Sequence, residues 1–176
     1  TPLCGRNFEY MGEDPLLVSR MAVPYIQGIQ QNHVAACIKH YALNNQEAHR
    51  HDIECVIGDR ALREIYLPAF EAAVKDGGVW SVMGAYNKYK GKYCCENAPL
   101  VNGILKGEWG FDGVMVSDWG GATNTDDSVN GGLDLEFGTW TDGLTEGLSN
   151  AYLLYCLADA YENGLKSGKY SIEGLD

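Results

Sequence analysis

Residues 114–121, VMVSDWGG, set a carboxylate beside the largest aromatic, between an apolar run and two glycines. Asp118 has two readings in that place. As a nucleophile it is held by the apolar residues before it, while the glycines behind it let a ligand come close. As a helix cap it only accepts backbone N–H groups, and Trp119 belongs to the core. Lys39 with His40, Tyr86 with Asn87, and Glu136 are further groups able to bond hydroxyls. With the flat face of Trp119 they suit a polyhydroxylated neutral ligand. His49 and His51, followed by Asp52, have metal-ligand composition, so a metal-dependent barrel hydrolase is an alternative. That histidine pair follows a polar, loop-like run and not the end of a strand.

Such groups need elements to gather them. Apolar runs rich in β-branched residues predict strands at 34–38, 79–85, 113–117 and 133–137. The first three are apolar almost throughout, as strands covered on both faces are. Segments of helical period lie between them, which gives an α/β fold with parallel strands. Asp14 and Pro15 open one helix, with Leu17, Met21, Tyr25 and Ile29 along one face. Asp59 caps a second, whose Leu62, Ile65, Phe70 and Ala73 turn inward before Gly77-Gly78. Pro24 and Pro68 kink or break these helices. A third helix follows Asn97, a fourth runs from Ser149 to Gly168, and residues 138–148 form an irregular loop. In parallel α/β folds reactive groups collect at the carboxyl ends of strands, which is where these candidates fall.

Composition narrows the partners. Lys plus Arg number 13 against 24 Asp plus Glu, a formal charge of -11, which disfavours nucleic acid and anionic membrane surfaces. No apolar run approaches the roughly 20 residues that span a bilayer. The six cysteines show no CxxC spacing and are expected as reduced thiols. The compartment stays open. At 176 residues the chain is shorter than the roughly 250 of a closed α/β barrel, and it begins without methionine. The expectation is one domain over residues 1–176, in a processed chain or a piece of a longer one.

Six segments carry a resemblance: GRNFEYMGEDP (5–15), AACIKHYALNNQE (35–47), RALREIYLPAFEAAV (60–74), VMGAYNKYKGKYCCEN (82–97), LKGEWGFDGVMVSDWGG (105–121) and GLDLEFG (132–138). Together they resemble the barrel domain of glycoside hydrolase family 3, in its β-glucosidase-type branch. The resemblance implies a partial (β/α)8 TIM-type barrel and a retaining β-glycosidase acting on a β-glucoside or short β-linked oligosaccharide, without a cofactor or metal. It implies that Asp118 is the nucleophile and that Trp119 flanks the scissile bond. Lys39, His40 and Arg6 then bind hydroxyls of the sugar before that bond, Tyr86 orients the carboxylate, and Met83 lines the pocket.

Two departures accompany it. Earlier barrel strands have no counterpart, so the chain reads as the later part of a barrel, partnered by the remaining segments of its own polypeptide. The family's acid/base glutamate generally comes from a second, α/β sandwich domain, which is absent here. Glu13 and Glu47 read as loop-fixing residues and Glu136 as a structural group at the barrel end. A barrel fragment that only binds sugar is therefore a further alternative. The amino-sugar branch of the family carries Pro-Gly-His where this chain has KHYALNNQEAHRHD, which argues against that branch and leaves His49, His51 and Asp52 as loop residues.

Overall fold

The structure, a computed structural model, describes residues 1–138 and 154–175. Its elements in chain order are α1 (Pro15–Gln30), β1 (Cys37–Tyr41), α2 (Asp59–Ala61), α3 (Pro68–Lys75), β2 (Ser81–Gly84), the hairpin strands β3 (Lys88–Tyr89) and β4 (Lys92–Tyr93), β5 (Val114–Val116), α4 (Thr125–Gly131) and α5 (Asp159–Lys166). The central sheet is parallel, in the order β1-β2-β5.

The expected strand at 133–137 is reduced to one parallel bridge between Val116 and Leu135. Ser117 explains why the ladder stops there. Its N–H donates to the Leu135 carbonyl (2.9 Å), but its side-chain oxygen, not a backbone carbonyl, accepts the Phe137 N–H (2.8 Å). The first strand lies three residues later than its apolar run suggests, so Lys39 and His40 belong to β1 itself.

Helix α1 starts as expected, with the Asp14 carboxylate accepting the Leu17 N–H at 2.8 Å and Pro15 in the first turn. It passes through Pro24 without ending. Its buried stripe differs from the expected one: Ala22 and Ile26 join the core, while Leu17 (52% exposed), Met21 (46%) and Tyr25 (65%) face outward. Ile29, from the expected stripe, also packs against the core.

Asp59 does not cap the second helix. It is the first helical residue, and its carboxylate accepts from Lys90 Nζ (2.8 Å) and the Tyr89 hydroxyl (3.1 Å). Between Leu62 and Tyr66 the backbone widens into a π turn closed by the Leu67 N–H on the Leu62 carbonyl (2.9 Å). The extra residue shifts the helical register, leaving Ile65 54% exposed while Leu62, Leu67 and Ala73 are buried. Pro68 opens α3 just after this break.

The expected third helix is the segment Pro99–Glu108, also wound in wide turns, with Asn97 Oδ1 accepting the Leu100 N–H (3.1 Å). It buries Leu100, Val101, Ile104 and Leu105, and the Tyr41 hydroxyl of β1 donates to the Leu100 carbonyl at 2.8 Å. Of the expected fourth helix, α5 covers the later part and 149–153 lie outside the described residues, as does the loop at 139–148. Short helix α4 went unforeseen. All six cysteines are free thiols, and among the described residues no helix is long and apolar enough to cross a membrane.

Candidate active site

β1 and β5 flank β2, and His40 near the end of β1 and Asp118 two residues past β5 come together at the carboxyl edge of the sheet. His40 Nε2 and Asp118 Oδ2 stand 3.4 Å apart. Asp118 Oδ1 accepts the Trp119 N–H at 2.7 Å, but among the described residues neither Oδ2 nor His40 Nε2, both shielded from water, has a hydrogen-bond partner. On the other side of the imidazole, Nδ1 lies 2.6 Å from the Tyr10 hydroxyl. Burial first, then the charges of Lys39 and Arg6, push the His40 pKa down to about 4 against the opposing pull of Asp118. Burial dominates, so the imidazole is neutral at pH 7.

Arg6 and Lys39 form a second group around a residue that the sequence did not single out. Glu9 takes the Lys39 Nζ at 2.7 Å on one oxygen and the Arg6 Nε at 2.5 Å on the other. Burial works to raise its pKa, but Lys39 and Arg6 outweigh this and hold the carboxyl below its ordinary range. The charges of Arg6 and Lys39 reach His40, as its lowered pKa records, so both cations contribute to the potential at the end of β1.

Tyr86, just past β2, donates its hydroxyl to the Trp119 carbonyl at 2.6 Å. Burial, followed by the charge and hydrogen bonding of Asp118, raises its pKa strongly and keeps the phenol protonated. The Arg50 guanidinium lies 4.5 Å over its ring while pairing with Glu47 at 2.6 Å. Arg50 was missed because a polar run gives no period from which a side chain's direction can be read. His51 meets the same ring edge-on at 4.3 Å. A cavity of about 440 Å³ opens here, lined by His51, Asp52, Tyr86, Tyr93, Gly120, Gly121 and Thr123. Trp119 is half exposed, its indole against Gly138, where the positive φ of 64° and the absent Cβ allow contact that a larger residue would block. Met83 sits on β2 in register with Val116, half-buried, two residues upstream of Asp118 in the neighbouring strand.

The turn after Asp118 is fixed from below. Glu96 is buried, and its carboxylate accepts from the Thr123 N–H (2.5 Å), the Thr123 hydroxyl (2.6 Å), the Asn124 N–H (3.1 Å) and the Ser128 hydroxyl (2.8 Å). The neighbouring Cys95 sulfur packs against the same turn and would lie 3.2 Å from any Cβ at Gly121. Of the other candidate carboxylates, Glu47 pairs with Arg50 and Asn44, Glu136 accepts the Leu157 N–H (2.8 Å), and Glu13 lies exposed. Among the described residues no group of three or more His, Cys, Asp or Glu comes together as a metal site.

A parallel α/β sheet with a carboxylate, an imidazole, a phenol and an indole at its strand ends has the layout of barrel-type α/β folds, whose reactive groups gather there. The family model of the glycosyl hydrolase family 3 N terminal domain matches residues 1–135, and the chain belongs to that family. Beta-glucosidase BoGH3A of Bacteroides ovatus is 55% identical over 173 residues, 98% of this chain and 23% of its own length. An exo-alpha-(1->6)-L-arabinopyranosidase of Bifidobacterium longum is 45% identical over 135 residues, 77% of this chain and 18% of that protein. The structure of beta-glucosidase 3B from Thermotoga neapolitana in complex with alpha-D-glucose superposes with a TM-score of 0.88 at 43% identity, covering 99% of this chain and 24% of that one. The chain thus spans about a quarter of the length of these relatives, and its parallel sheet with surrounding helices matches their barrel-type domain.

Proposed function

We propose that this chain supplies the nucleophile side of the active site of a retaining β-glycosidase that removes terminal non-reducing β-D-glucosyl residues. The observation that carries the reading is the Asp118 carboxylate: one oxygen is fixed by the Trp119 N–H, and the other is buried without a hydrogen-bond partner among the described residues. A structural carboxylate in so shielded a place is ordinarily bonded at both oxygens. An oxygen left open beside a neutral imidazole is one that a substrate can meet.

In this reading Oδ2 attacks the anomeric carbon as the leaving-group oxygen departs, through an oxocarbenium-like transition state. The C–O bond to the aglycone breaks, an ester to Asp118 forms, and water then cleaves that ester. His40, Lys39, Arg6 and Arg50 bond sugar hydroxyls, Tyr86 holds the Trp119 backbone and the carboxylate, and Met83 lines the floor. Trp119 offers its exposed indole to the ring beside the scissile bond. The proton for the leaving group comes from a glutamate outside these residues: Glu47 and Glu136 are tied into local bonds, and Glu13 is exposed. We read residues 1–176 as one domain, the later part of a barrel completed by the rest of its polypeptide. The names of the β-glucosidase relatives favour a β-glucoside.

Asp118→Ala in the full-length protein should lower kcat/KM for aryl β-glucosides by at least about 10³-fold. Azide, small enough to fill the vacated space, should restore turnover and give an α-configured glucosyl azide. Retention of activity within tenfold of wild type sinks the nucleophile assignment. Saturable sugar binding with no turnover of even activated glycosides by the wild-type protein points instead to a binding-only barrel.

A further inference from the structure

We propose that Tyr10 is a positioning residue for the nucleophile: its hydroxyl donates to His40 Nδ1, confines the single imidazole proton to Nε2, and so sets an N–H donor against Asp118 Oδ2. The inference rests on the reading of Asp118 as nucleophile and adds a residue to it. Tyr10 lies in the coil after the 3₁₀ turn Asn7–Glu9, thirty residues before its partner, and the two rings tilt at 46° with centroids 5.9 Å apart.

The geometry admits two proton placements, and one of them is costly. A neutral imidazole carries one N–H. If the proton sat on Nδ1, the Nε2 lone pair would face a carboxylate oxygen at 3.4 Å in a site that excludes water, with nothing between them. With the proton on Nε2 the same contact becomes attractive, and Nδ1 must then accept. The only group at Nδ1 among the described residues is the Tyr10 hydroxyl at 2.6 Å. Burial pushes the Tyr10 pKa up to about 12, so the phenol keeps the proton it must give. The donor chain therefore runs from the Tyr10 hydroxyl through His40 to Asp118.

A separation of 3.4 Å is longer than a well-made N–H···O bond. The Nε2–H is therefore directed at the nucleophile without being committed to it. Tyr10 acts through His40 and need not touch the substrate.

The test uses the full-length protein labelled with ¹⁵N-histidine, in which multiple-bond ¹H–¹⁵N correlation reports which ring nitrogen carries the proton. His40→Gln assigns the signal by removing it. The expected result is an Nε2–H tautomer for His40 that shifts towards Nδ1–H in Tyr10→Phe, a variant that keeps the ring and its packing. Kinetically, Tyr10→Phe should lower kcat/KM by about tenfold to a hundredfold. In the His40→Gln background, whose amide N–H stands where Nε2–H did and has no tautomer to fix, the same change should cost less than about threefold. An Nδ1–H tautomer in the wild type, a tautomer unmoved by Tyr10→Phe, or an equal loss in both backgrounds overturns the proposal. The tautomer is read without turnover, so failure of the nucleophile reading, seen as an active Asp118→Ala, is separable from failure of this one.

Discussion

Glu96 and Asp118 are both shielded carboxylates of one small region, and they are treated in opposite ways. Glu96 is saturated, with four donors from Thr123, Asn124 and Ser128 at 2.5–3.1 Å. Asp118 has the Trp119 N–H, the nearby Tyr86 hydroxyl, a 3.4 Å contact to His40, and one oxygen with no hydrogen-bond partner among the described residues. Burying a charge is costly unless hydrogen bonds replace its water, so each arrangement has a stability consequence. The saturated carboxylate closes a loop and stabilises it. The open one is left under-bonded at the expense of local stability, and the first braces the turn that presents the second.

That contrast can be broken or sharpened by substitution. The largest stability effect belongs to Glu96→Ala, which strands several buried donors at once and should destabilise the 119–128 segment by about 3 kcal/mol. Peptide-level hydrogen exchange in the full-length protein should show roughly hundredfold faster exchange at Thr123 and Asn124. Exchange as slow as in the wild type would show that the carboxylate does not hold the loop. Asp118→Asn should change the stability of its turn by less than about 1 kcal/mol in either direction, because it removes a poorly solvated charge together with little bonding. A loss as large as that of Glu96→Ala would make Asp118 a structural carboxylate. The smallest effect is expected at Glu64, whose pairing with Arg60 at 3.0 Å lies in solvent. Glu64→Ala should cost no more than about 0.5 kcal/mol, and 0.5 M salt should erase the difference.

Much of this was legible in the sequence because it depends on neighbours along the chain. Asp14-Pro15 marks a helix start by local chemistry, and VMVSDW marks a buried strand with its reactive end by apolar continuity. The resemblance to the family supplied what local chemistry could not, namely the expectation that Arg6 and Asp118, 112 positions apart, serve one site. Three features stayed hidden for physical reasons. β1 was read three residues early because Lys39 and His40 are polar; only their distant partners Glu9, Tyr10 and Asp118 make them tolerable in a strand. The outward turn of Ile65 follows from a π turn, which adds a residue without any composition signal. Tyr10, Arg50 and Glu96 act through contacts across the fold, and their types in coil or turn segments are compatible with ordinary surface positions.

The measurement that bears most directly on the central claim is peptide-level mass spectrometry of the full-length protein after reaction with an activated 2-deoxy-2-fluoro-β-glucoside. Fluorine slows both steps, and the good leaving group restores the first, so the glycosyl-enzyme accumulates. The account predicts one fluoroglucosyl adduct, on the peptide carrying Asp118 and lost in Asp118→Asn. An adduct on another carboxylate, or hydrolysis of the reagent by wild-type protein with no covalent intermediate and with inversion of configuration, would contradict it.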